Sequence, residues 1–90
     1  MDAICRHYYI SGRVQGVFYR RYSYEKARVL GLTGWVKNTE DDRVEVLLCG
    51  PPENIARMEK WFWEGPPKAS VTNVESHERP LQNLNEFEVR

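Results

Sequence analysis

The run Gly12-Arg13-Val14-Gln15-Gly16-Val17-Phe18-Tyr19-Arg20 constrains this chain more than any other stretch. An alternating apolar segment precedes it and a breaker-free, helix-like segment follows. It therefore reads as a strand end, a short glycine-containing loop and a helix start. Such a junction turns several backbone N–H groups toward one point at the positive end of a helix dipole, which suits an anion. Gly12 and Gly16 permit torsions and close approaches that a Cβ forbids. Arg20 stands where the loop becomes the helix, and its planar fork can hold two oxygens of one phosphate or carboxylate. On local physics alone, a plain turn followed by a solvated arginine fits the same residues.

Ninety residues make one domain, spanning 1–90, with a thin core. Lys and Arg together number 13, as do Asp and Glu, and they are scattered. That balance argues against a nucleic-acid footprint or a membrane-attracting patch. No apolar run approaches the ~20 residues that cross a bilayer. The start, Met1-Asp2-Ala3-Ile4-Cys5-Arg6, has no apolar signal core, so a cytoplasmic protein is expected.

Residues 3–12 read as a first strand, with Tyr8 and Ile10 toward the core and Cys5, His7, Tyr9 and Ser11 on the opposite face. Residues 13–20 form the loop, and 21–30 a helix stopped by Gly31. Tyr22, Ala27 and Leu30 are expected to pack on a sheet, with Arg21, Glu25 and Arg28 in water. Leu32 to Asn38 and Arg43 to Cys49 read as a hairpin around the polar turn Thr39-Glu40-Asp41-Asp42. Val44, Val46 and Leu48 share one face of its second strand. After Gly50-Pro51-Pro52, Ile55, Met58, Trp61 and Phe62 recur at helical spacing until Gly65-Pro66-Pro67. A weaker strand covers 70–78 and a short last one 86–90.

The order βαββαβ with an extra short C-terminal strand predicts an α+β, ferredoxin-like sandwich: an antiparallel sheet with two helices on one face. That plan makes the first and third strands neighbours. Cys5 and Cys49 then share the helix-free face within reach of a disulfide, although a reducing compartment favours free thiols. Cys5, His7 and Cys49 make a poor metal site, because a closed zinc site needs four ligands. His7 and His77 read as surface residues on the sheet. Tyr9 and Trp35 on that face invite comparison with RNA-recognition modules, but the basic surface such modules need is missing. Asn38, at the end of a strand, can donate to one partner and accept from another. It equally suits the turn that follows it.

Ile10-Ser11-Gly12-Arg13-Val14-Gln15-Gly16-Val17-Phe18-Tyr19-Arg20 resembles the first signature of the acylphosphatases. Gly34-Trp35-Val36-Lys37-Asn38, with Val44 and Gly50 at the family's spacing, resembles the second. Two positions depart. Tyr19 stands where the family usually has Phe or Met, and Asp42 where the second signature usually has Gly. Asp tolerates left-handed torsions, so Asp42 reads as an altered turn.

The resemblance implies hydrolysis of the carboxyl–phosphate bond of small acyl phosphates by a monomer without metal or other cofactor. Gln15, Gly16, Val17, Phe18, Tyr19 and Arg20 are then the phosphate-binding loop, and Arg20 and Asn38 the catalytic pair, with Asn38 placing the attacking water. The alternative is a module that binds phosphate or another anion without turnover. The chain also resembles the N-terminal acylphosphatase-like domain of hydrogenase-maturation carbamoyl-transfer proteins, a reading disfavoured by its extent from Met1 to Arg90.

Overall fold

In the computed structural model, which describes residues 2–90, the chain runs β1 (Ile4–Arg13), α1 (Tyr19–Val29), β2 (Thr33–Asn38), β3 (Val44–Gly50), α2 (Pro52–Glu64), β4 (Ser70–Arg79) and β5 (Phe87–Val89). The strands form one sheet in the order β4-β1-β3-β2-β5. The first four pair antiparallel, and β5 adds to β2 in parallel, so the sheet is mixed where an antiparallel one was expected. The ferredoxin-like α+β plan read from the element order is the fold observed.

Strand parity sets the two faces of the sheet. Tyr8, Ile10, Val36, Val44, Val46 and Leu48 form one core with Tyr19 and Ala27 of α1 and Ile55, Met58 and Phe62 of α2. Tyr8 and Phe62 meet edge to face at 5.1 Å, a geometry that favours aromatic pairs. α2 begins on Pro52, where a missing N–H costs nothing. It ends at Gly65, whose N–H donates to Trp61 O at 2.8 Å.

α1 starts two residues earlier than its sequence suggests, at Tyr19. This shortens the loop to Val14–Phe18 and places Tyr19 and Arg20 in the first turn of the helix. It also corrects the buried face. Tyr19, Ser23 and Ala27 are buried, whereas Tyr22 is 42 % exposed. At 100° per residue the buried arc centres near Ser23, and Tyr22 points about 100° away from it. Leu30 packs at the edge of the core, as expected.

The helix-free face is less bare than the sequence suggests. The segment between β4 and β5 has to cross it to reach the far edge, and it lays Leu84 on a second cluster of Cys5, Leu47, Cys49 and Trp35. Cys5 and Cys49 lie directly opposite in the β1–β3 register and are joined by a disulfide. Both sulfurs are thereby taken up by each other. His7, expected at the surface, is buried, with its Nε2 2.7 Å from Glu45 Oε2. The rings of Tyr9 and Trp35 stand edge-on to it at 4.8 and 5.9 Å and exclude solvent. His77 is exposed and pairs with Glu75.

Candidate active site

The site lies at the end of the sheet where β1 leaves for α1 and β2 turns into β3. Two buried valines, Val14 and Val17, pin the intervening loop to the core. The residues between and after them are therefore free to curl outward. Gly16 takes φ 74 and Phe18 φ 66, both left-handed. A Cβ at Gly16 would meet nothing within 4 Å, so this glycine is required by its torsion rather than by crowding. Gly12 differs, because a Cβ there would approach Ser70 O to 2.2 Å, across the bulge that shifts the β1–β4 register. Left-handed residues spaced two apart curve a loop so that its N–H groups converge into an anion nest. The N-terminus of α1 follows at once. Its first N–H groups have no partner within the helix, and its dipole adds positive potential.

Arg20 comes one residue into α1 and lines the cleft above this loop, as do Gly16, Phe18 and Asn38. Its Nη1 donates to the backbone oxygen of Arg90 at 3.0 Å. β5 and the residue after it therefore close the cleft on the side away from the loop, and Val89 lines it too. The remaining guanidinium donors stay available for a ligand.

Asn38 is the last residue of β2, paired with Val44. As in Val36, its parity turns the side chain toward the helix side of the sheet, which brings it to the cleft. The turn behind it is tightly tied. Thr39 N–H donates to Arg43 O at 2.8 Å, and Arg43 N–H donates to Thr39 Oγ1 at 3.0 Å. The Thr39 hydroxyl also bonds Asp41. This bond, with help from the Arg43 guanidinium, holds the Asp41 carboxyl below its ordinary range. Asp42 takes φ 67, the torsion for which glycine is usual, so the substitution alters the turn without opening it.

Tyr19, the other departure from the family pattern, borders the cleft but sends its hydroxyl into the core. Its hydroxyl donates to Phe62 O at 2.7 Å inside the core, and burial pushes its pKa far up.

Three contributors were not visible in the sequence. The Gln15 side chain, not only its backbone, reaches across the site: Nε2 donates to Thr39 O at 2.9 Å and to Arg43 O at 2.8 Å. Val89 and Arg90 arrive from a strand some 70 residues away in sequence. The short last strand was legible at 86–90, but its arrival at the cleft depends on its pairing with β2, which no local pattern shows.

Residues 6–89 match the acylphosphatase family model. The chain is 47 % identical over 90 residues to an acylphosphatase of Pseudomonas paraeruginosa, covering 100 % of this chain and 99 % of that one. Its structure superposes on an acylphosphatase from Coxiella burnetii with a TM-score of 0.96 at 44 % identity, over 99 % of this chain and 94 % of the other. An acylphosphatase from Bacillus subtilis gives 0.94 at 33 % identity, over 97 % and 98 %. A loop with two left-handed residues, an arginine and a strand-end asparagine thus meet in one cleft of a fold shared along its whole length, and the chain belongs to the acylphosphatase family of acyl phosphate hydrolases.

Proposed function

We propose that the loop and Arg20 hold the phosphoryl group of a small acyl phosphate while Asn38 places the water that attacks phosphorus. The observation that carries this reading is the shared cleft, which Gly16, Phe18, Arg20 and Asn38 all line. N–H groups from residues 15–20 and the guanidinium fork take the equatorial oxygens, where charge spreads as the bond to the leaving group loosens. The Asn38 amide can accept from a water and donate to a neighbouring acceptor, which fixes the direction of its lone pair. Water adds to phosphorus, the P–O bond to the acyl oxygen breaks, and the electron pair leaves on a carboxylate.

That carboxylate is a stable leaving group, so positioning and charge stabilisation supply the catalysis. The substrate's own phosphate oxygen can take the proton of the water.

The test is release of inorganic phosphate from benzoyl phosphate by the wild type and Asn38→Ala. Loss of about 10²-fold or more in kcat with KM little changed is expected for a water-placing role. A change confined to KM would assign Asn38 to substrate binding instead.

A further inference from the structure

Phe18 is the least economical residue in the site. It holds a left-handed torsion that costs a bulky side chain conformational energy, and glycine or asparagine would serve the turn better. Its carbonyl accepts the Tyr22 N–H at 3.0 Å, a role any residue could fill. Its ring is 67 % exposed and takes no part in the core. The packing of the protein thus gives no reason for an aromatic side chain here.

The cleft gives one. Across from the loop, Val89 is 49 % exposed and lines the same cleft. Arg20 is committed toward the phosphoryl position, and the other rim cation, Arg21, lies 3.5 Å from Glu25 in a helical pair. Phe18 and Val89 are therefore the exposed apolar side chains of a cleft of roughly 430 Å³, more space than a phosphoryl group with a two-carbon acyl group fills. In an acyl phosphate the acyl carbon is one oxygen away from phosphorus. An acyl group leaving the loop has to lie along those walls.

We propose that Phe18 and Val89 form the acyl subsite and select acyl phosphates with an apolar acyl group, an aryl or branched alkyl chain, over those with an acetyl or carbamoyl group. An apolar acyl group would cover two exposed hydrophobic side chains, gaining transition-state binding in proportion to the apolar area removed from water. A small polar acyl group covers little of either. The inference rests on the phosphoryl group sitting in the loop beside Arg20, so the experiment tests that placement separately.

Steady-state kcat/KM is measured with benzoyl phosphate and with acetyl phosphate for the wild type, Phe18→Asn, Val89→Ala and Arg20→Lys. Asparagine keeps the left-handed turn while removing the ring. The benzoyl-to-acetyl ratio is expected to fall about tenfold in Phe18→Asn and about threefold in Val89→Ala. Arg20→Lys should lower both substrates together. A ratio unmoved in both the Phe18 and Val89 variants, with Arg20→Lys still crippled on both substrates, overturns the subsite and leaves the phosphate placement standing. Wild-type rates in Arg20→Lys overturn the placement and the subsite with it. Val89→Ala changes a half-exposed side chain on an edge strand, so it reports even if the loop variant folds poorly.

Discussion

The Gln15 side-chain amide donates to Thr39 O at 2.9 Å, which ties the loop before α1 to the turn that follows Asn38. Its second bond, to Arg43 O at 2.8 Å, grips the other side of the same turn. One side chain thereby sets the spacing between the loop before α1 and the turn that follows Asn38. Gln15→Leu should lose both bonds and leave two part-buried carbonyls without this partner. A destabilisation of about 1–3 kcal/mol in urea unfolding is expected, along with a fall in kcat larger than the change in KM. Unchanged kcat in a folded Gln15→Leu protein would show that the loop and turn hold their spacing without it.

Arg20→Lys is expected to reduce kcat/KM by about 10²-fold or more with the fold retained. The single bond from Nη1 to the Arg90 backbone oxygen can be replaced by an ammonium group. The two-pronged grip on a tetrahedral anion cannot. Circular dichroism together with phosphate release separates loss of fold from loss of grip.

Tyr19 links the helix that carries Arg20 to the end of α2 through its bond to Phe62 O. Burial raises its pKa in the folded protein, and burial likewise raises that of Tyr8. Both phenols therefore stay neutral in the folded state at pH values where unfolded tyrosine ionises, near 10. A raised folded pKa means that the stabilisation is fully present below pH ~10 and is lost as pH rises from there toward the folded values. Stability should fall with pH above about 10. Tyr19→Phe should flatten that fall while costing about 0.5–1.5 kcal/mol at neutral pH for the lost hydrogen bond. Urea midpoints at pH 7 and pH 11 for the two proteins decide the matter.

The Cys5–Cys49 bond closes a loop of 44 residues across the two central strands. Restricting the unfolded chain by a loop of that length stabilises by about 4 kcal/mol in the chain-entropy model. The double variant Cys5→Ser, Cys49→Ser should lose that amount and keep its kcat. The pair lies at the end of β1 and β3 opposite to Gly12 and Val44, far along the sheet from the cleft. Thermal melts of the wild type with and without reductant should reproduce the same difference, and reductant should leave the double variant unmoved.

Local chemistry specified most of the scaffold. Alternation in β1 and β3, Pro52 and Gly65 at the ends of α2, and the polar turn after Asn38 each follow from short-range sterics and from a face that must be buried. The loop was legible because Gly12 and Gly16 fall between an alternating strand and a breaker-free helix, whereas the left-handed torsion of Phe18 left no mark in the sequence. Arg20 and Asn38 were singled out by the likeness of their two stretches to the family's signatures, and the fold brings both to one cleft.

What the tertiary structure alone decided depended on chain crossing chain. The depth of His7 comes from Glu45, Tyr9 and Trp35 closing around it, and none of those contacts has a periodic mark in sequence. The start of α1 at Tyr19 is fixed by burial of that side chain against Trp61 and Phe62, which overrides the weak local preference for a later start. Val89 and Arg90 reach the cleft only because β5 pairs with β2, at the edge of the sheet opposite to β4. A sequence states which residues prefer water and which torsions they tolerate. Which of them meet across 70 residues of chain is settled by the one packing that buries the apolar face of every strand and helix at once.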